Sequence, residues 1–162
     1  LSIAVFDCEE ADIDFHARYS CTSKEYIYKI WNTEVRNPFL DGYALHYRYK
    51  LDEDMLNSAA QAYVGTHDFT SFCTLDSREK GDMTRTVKAF SVTREGNLVT
   101  MKVEADGFLY NMVRIMVGTL LRIQQGKIPV DGIAGIIEKK DRKFAGPTAQ
   151  PCGLYLNRVN YD

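Results

Sequence analysis

The stretch Gly107-Phe-Leu-Tyr-Asn-Met-Val-Arg-Ile-Met-Val-Gly-Thr-Leu-Leu121 reads as a helix that is apolar almost all round, yet it carries one arginine, Arg114, near its middle. A helix of that kind is normally buried, and a buried guanidinium does not neutralise itself by losing a proton. It needs an anion. At helical spacing Asn111, Arg114, Gly118 and Arg122 fall along one stripe, and Gly118 clears room beside the arginine for a backbone or a ligand. The stripe therefore predicts a lined groove. A second reading stays open beside it, in which the Arg114 stem lies along apolar surface with its head in water or on a local carboxylate. A membrane span is disfavoured, because the apolar runs fall short of the roughly 20 residues a bilayer crossing needs and the charge interrupts them.

On the N-terminal side of this helix, Thr84–Thr93 and Leu98–Ala105 are two β-rich runs joined at Glu95-Gly96-Asn97, a strong hairpin signal. Further upstream, Met55, Leu56, Ala59, Ala60, Tyr63 and Val64 recur at amphipathic helical spacing, with Asp52 as N-cap and Gly65 as stop. Lys24–Trp31 alternates aromatic and β-branched residues and predicts a strand covered on both faces, Tyr26, Tyr28 and Ile30 on one and Ile27 and Trp31 on the other. Asn32–Gly42 reads as a loop around Asn37-Pro38, Tyr43–Tyr49 as a short aromatic strand, and Asp76–Asp82 as a mobile charged loop. Leu1–Phe6 alternates as a short strand before the acidic run Asp7–Asp14. On the C-terminal side, Gly126 ends the central helix, Val130–Lys140 predicts a second one with Ile133, Ile136 and Ile137 inward, and Gly153–Tyr161 a last strand. Interspersed strands and helices with a hairpin give an α+β fold, a largely antiparallel sheet with helices packed on one face.

With 162 residues, 45% of them hydrophobic, the chain can bury a real core. Its formal charge of -2 predicts no bulk attraction to nucleic acid, so any basic footprint must be local. Cys8, Cys21, Cys73 and Cys152 are far apart, with no Cys-x-x-Cys pair and no histidine at zinc spacing, which disfavours a metal cage or a disulfide framework. Buried free thiols in a reducing compartment, cytoplasmic or organellar, fit better. Leu1–Glu10 has no basic leader, apolar core or initiator methionine, and reads as the start of a segment cut from a longer chain.

No Gly-x-Ser-x-Gly elbow, phosphate-cradling glycine loop or His-Glu-x-x-His helix occurs. His16, His46 and His67 are scattered, and a structural role is the simpler reading for each.

Four motifs in order carry a resemblance: Phe15-His-Ala-Arg-Tyr-Ser20 followed by Lys24-Glu-Tyr-Ile-Tyr28; Gly65-Thr-His-Asp-Phe-Thr-Ser-Phe72; Gly107–Gly118; and Gly153-Leu-Tyr-Leu156. Together they are similar to the C-terminal half of the tRNA pseudouridine synthase A (TruA) family, with residues 15–162 as the domain and residues 1–14 as a connecting strand and linker from an N-terminal half. The resemblance implies a pseudouridine synthase fold, a tRNA partner, a homodimer, no membrane and no organic cofactor. It implies that uridines of the anticodon stem-loop are isomerised by breaking the N-glycosidic bond and joining C5 to C1′. Arg114 matches the family's active-site arginine, which pairs with the catalytic aspartate, and Tyr26 matches the tyrosine that packs against the target uracil. The residues themselves agree with that assignment: an arginine wanting an anion, and an aromatic strand residue able to stack on a base.

One departure matters. The family's aspartate sits in a Gly-Arg-Thr-Asp-Ala-Gly-Val-His block, and these 162 residues contain none. Asp106-Gly107 lacks the preceding Gly-Arg-Thr. The chain is thus expected to supply half an active site and to be inactive alone. The alternatives are a noncatalytic RNA-binding module, with Arg18, Lys24, Arg85 and Arg114 on phosphates, and a plain interaction domain using exposed aromatics.

Overall fold

A computed structural model describes residues 3–74 and 81–161. They form one six-stranded sheet, built from β1 (Cys21–Trp31), β2 (Leu45–His46), β3 (Gly65–Asp68), β4 (Thr84–Glu95), β5 (Leu98–Ala105) and β6 (Leu154–Tyr161). The order is β2-β1-β5-β4-β3, and β6 pairs β1 on the same edge as β2. All pairings are antiparallel except β1 with the two-residue β2.

Alternation decides which face is inside. The register aligns Tyr26, Tyr28 and Ile30 of β1 with Val103, Met101 and Val99 of β5, and Val103 and Met101 in turn with Phe90 and Val92 of β4. Tyr28, Ile30, Val99, Met101 and Val103 are buried almost completely. The helices α1 (Glu53–Ala60), α2 (Met112–Gln124) and α3 (Gly132–Lys139) add Leu56, Ala59, Ile115, Met116, Leu120 and Ile133 to that core, and the connections add Tyr63, Phe69 and Phe72. The opposite face carries Lys102 and Glu25 as a surface ion pair at 3.6 Å.

Local chemistry explains the element ends. Asp52 caps α1 by accepting the Met55 N–H at 2.9 Å. The hairpin turns at Gly96, whose φ of 56° suits the first central position of a type II′ turn, between the paired Glu95 and Leu98. At the end of α2, Gly126 takes a φ of 67°, and N–H bonds from Gly126 to Ile123 O and from Lys127 to Arg122 O close a Schellman motif.

Three expectations are corrected. The central helix starts at Met112 rather than Gly107, because Asn111 adopts a left-handed φ of 62° and the preceding residues swing the chain from β5 into the helix. The aromatic strand read over Tyr43–Tyr49 shortens to Leu45–His46; the backbone beyond it is held by buried Asn32, whose amide donates to the carbonyls of Tyr47 and Tyr49 at 2.8 and 2.7 Å. Ile3–Phe6 forms no strand and is exposed, having no neighbour to pair with among the described residues. Residues 76–80 of the charged loop lie outside the described residues. Of the four thiols only Cys73 is buried, and Cys8 is exposed.

Candidate functional site

Gly118 does make room on α2, but the occupant is backbone. A Cβ on Gly118 would lie 1.7 Å from the Pro147 carbonyl oxygen, and one on Gly146 would lie 2.5 Å from the Gly118 backbone. The segment 145–151 therefore runs across the helix as a strap in direct main-chain contact. Thr119 Oγ accepts the Gly146 N–H at 2.9 Å while donating to Ile115 O at 2.8 Å. One turn earlier, the Ala149 N–H donates to Arg114 O at 3.0 Å, and Arg114 Nε donates to Ala149 O at 2.7 Å. Part of the groove expected along the stripe is thus filled.

The part that stays open is a pocket of about 350 Å³ at the N-terminal end of α2. Tyr26, Arg114, Phe108, Asn111, Leu154 and Arg18 contribute to its lining, so two residues separated by 88 positions meet in one cavity. Strand alternation turns Tyr26, midway along β1, to the helix-bearing face, where its ring packs edge-on against Phe108, centroids 5.0 Å apart at 84°. Burial pushes the Tyr26 phenol above its ordinary pKa. It is neutral at pH 7 and offers a ring face, not an anion.

Arg114 is half-buried rather than enclosed. Its Nη1 donates to Asn111 Oδ1 at 3.0 Å, complementing the Nε bond to Ala149. Both partners are uncharged, and no carboxylate pairs with Arg114 among the described residues. Neither sequence reading survives whole: the guanidinium is anchored, yet it retains N–H groups and a full charge beside the pocket. An anion brought there would gain charge-assisted, forked hydrogen bonds.

Beneath the pocket, Tyr28 donates its phenol to Gln150 O at 2.7 Å. Burial, and then Cys152, push that phenol up while Arg114 pulls it down, leaving a protonated donor. Tyr28 and Arg114 thus hold adjacent carbonyls of the strap. Gly153 is needed at the next step, since a Cβ there would meet Lys29 O at 2.6 Å and the Tyr28 ring at 2.8 Å. This close approach brings Leu154 to the pocket wall.

The cations picked out from sequence gather at one end of the sheet. Arg18 lines the pocket, Lys24 Nζ donates to Arg18 O at 3.4 Å, and Arg85 lies 3.3 Å from where a Gly107 Cβ would project. Lys88, not anticipated, joins them by donating to Thr22 O at 3.4 Å. They bond to carbonyls or pack on rings, and none of the four forms an ion pair among the described residues. They share that end of the sheet with Asp82 and Asp106, whose carboxylates accept the Thr84 and Thr86 N–H groups. The histidines lie outside this pocket: His46 Nε2 and His67 Nε2 bond to the carbonyls of Thr33 and Val64, and His16 Nδ1 accepts the Arg18 N–H.

Residues 147–151 and Lys88 carry no local pattern that marks them for the site, whereas Phe108 falls inside the Gly107–Gly118 motif. Gly118 was the single signal, a helical glycine where alanine would be expected.

Comparison with known proteins bears on this geometry. A family model described as tRNA pseudouridine synthase matches residues 59–162, a span that holds Arg114 and the strap. Over 160 residues, 99% of this chain, the sequence is 46% identical to the tRNA pseudouridine synthase A of Geobacillus sp. (strain WCH70), covering 64% of that protein. It is 43% identical to the tRNA pseudouridine synthase A of Shewanella frigidimarina over 160 residues, covering 61% of that protein. The chain therefore spans just under two thirds of the length of these relatives. Both alignments extend over nearly the whole chain, so they embrace the Tyr26 strand as well as the arginine helix, and this chain belongs to the tRNA pseudouridine synthase family.

Proposed function

We propose that this chain forms one wall of the active site of a tRNA pseudouridine synthase of the A type, with residues 15–162 acting as its C-terminal domain and residues 1–14 as the connection. Uridines in the tRNA anticodon stem-loop are the substrate. The observation that carries the reading is the meeting of Tyr26 and Arg114 in one base-sized pocket, the arginine lacking a carboxylate partner among the described residues.

The target uracil must leave its stack to enter, which costs a few kcal/mol. The Tyr26 ring, braced by Phe108, returns part of that by stacking on it. The cations Arg18, Lys24, Arg85 and Lys88 fit the flanking phosphates, which positions the strand without reading sequence. Arg114 keeps an aspartate, supplied from outside these 162 residues, ionised and aimed at the nucleoside. Uridine and pseudouridine are isomers: the N1–C1′ bond breaks, C5–C1′ forms, and the C5 proton is lost while N1 gains one. Atoms and electrons balance without a redox cofactor. The whole enzyme works as a homodimer in this reading.

The test is reconstitution. Purified chain incubated with tRNA carrying labelled uridine is expected to form no pseudouridine, and addition of an aspartate-bearing N-terminal segment, fused or in trans, is expected to start turnover. Turnover by the chain alone would refute the external aspartate. Failure of every fusion, together with tight RNA binding by the chain that weakens steeply with salt, would favour the noncatalytic RNA-binding module instead.

A further inference from the structure

Asn111 occupies the N-cap of α2 and does not cap it: its side chain accepts no bond from the helix N-terminus. Asparagine is among the best residues for that task, and leaving it undone forfeits a stabilising hydrogen bond. It also holds a left-handed backbone, φ 62° and ψ 8°, which non-glycine residues adopt at a cost. Both sacrifices free the carboxamide for other partners. Its Oδ1 accepts from Arg114 Nη1 at 3.0 Å, and its Nδ2 donates to Thr74 Oγ1 at 3.3 Å.

We infer that Asn111 is the positioning residue for Arg114, fixing the guanidinium so that its remaining N–H groups face the pocket. The inference rests on the function proposed above for Arg114. Two anchors at different corners define a planar group's orientation: Ala149 O holds Nε and Asn111 Oδ1 holds Nη1. Ala149 fixes where the guanidinium begins, being bonded to the Arg114 main chain as well. Asn111 sets the rotation about that anchor. An uncharged acceptor is the appropriate choice, because a carboxylate at position 111 would pair with the arginine and displace the aspartate it is meant to receive. The spacing suits the contact, since residues three apart at a helix start are neighbours, and Asn111 Oδ1 lies 3.0 Å from Arg114 Nη1.

The experiment uses the intact enzyme, this chain with its aspartate-bearing segment. Asn111→Gly tolerates the left-handed backbone at no steric cost and removes the side chain with its bonds to Arg114 and Thr74. It is expected to lower kcat about 10- to 100-fold with KM within about twofold of the parent, and to leave Tm nearly unchanged. Combined with Arg114→Lys, it is expected to add nothing to the loss from Arg114→Lys alone, since the two act as one unit. A purely structural asparagine would instead leave kcat at the parent value. If Asn111→Gly lowers Tm, Asn111→Asp replaces it, keeps the left-handed tolerance, and is expected to show the same loss in kcat by occupying Arg114. An unchanged kcat in the folded variant, or full additivity with Arg114→Lys, overturns the inference while Arg114→Lys itself remains crippled. An Arg114→Lys enzyme with parental activity identifies the failure as that of the underlying function.

Discussion

Gly118→Ala is expected to destabilise the protein by more than about 3 kcal/mol, at the upper end for overpacking, and to lower Tm by roughly 6–12 °C. The added methyl would sit 1.7 Å from Pro147 O, and the atoms it meets are main chain that no rotamer change can move aside. Relief requires the strap to lift. Lifting breaks the Gly146–Thr119 bond and then the paired bonds between Ala149 and Arg114, so the damage spreads to the pocket. Each buried group left without its partner adds about 1–3 kcal/mol. Gly135 provides the control. It is exposed on α3, nothing lies within 4 Å of its ideal Cβ, and Gly135→Ala is expected to stabilise by about 0.5–1 kcal/mol through helix propensity alone. Urea unfolding of both variants reads the two signs directly, and a Gly118→Ala protein as stable as its parent would mean that the helix and strap are not in main-chain contact.

That contrast also explains what the sequence could disclose. Periodicity is a local property, so the hairpin at Gly96, the Asp52-capped helix, the inward isoleucines of α3 and the last strand could all be read from neighbours a few residues apart. The strap is a different kind of fact. Gly118 announces that something approaches, but the approaching atoms belong to Pro147, and no period links the two. The periodicity extends the helix back toward Gly107 because Leu109 and Met112 keep apolar spacing across Asn111, whose left-handed backbone confines the helix to Met112 onward. Asparagine is the non-glycine type that best tolerates that conformation, and from sequence it is equally compatible with a cap. The site was legible in part. Arg114 could be singled out as a charge in an apolar helix, whereas Tyr26 looked like any inward strand aromatic until the family resemblance marked it. The meeting of Arg18 and Lys24 with Arg85 and Lys88 escaped composition altogether, since the two pairs come from distant parts of a chain of net charge -2.

In the intact enzyme, Arg114→Lys is expected to reduce kcat by about 100-fold or more, comparable to removal of a preorganised electrostatic group. Lysine keeps the charge, so the loss tests geometry rather than sign. The guanidinium engages Ala149 O through Nε and Asn111 Oδ1 through Nη1, and has further N–H groups for a carboxylate. An ammonium at the end of a flexible stem must reach three acceptors from one atom, and the two neutral acceptors would compete with the incoming aspartate for it. Tyr26 is expected to behave by ring rather than by hydroxyl. Tyr26→Phe keeps the face and the edge contact with Phe108 and should lose little, while Tyr26→Ala removes the platform and should cost about 1–3 kcal/mol in kcat/KM. Because stacking also brings the base out of its helix, that loss should shrink when the substrate uridine is already unpaired. A reconstituted enzyme indifferent to both Arg114→Lys and Tyr26→Ala would make the arginine a clamp for the strap and nothing more: its bonds to Ala149 and Asn111 would then be its whole purpose, and the pocket between it and Tyr26 would hold no base.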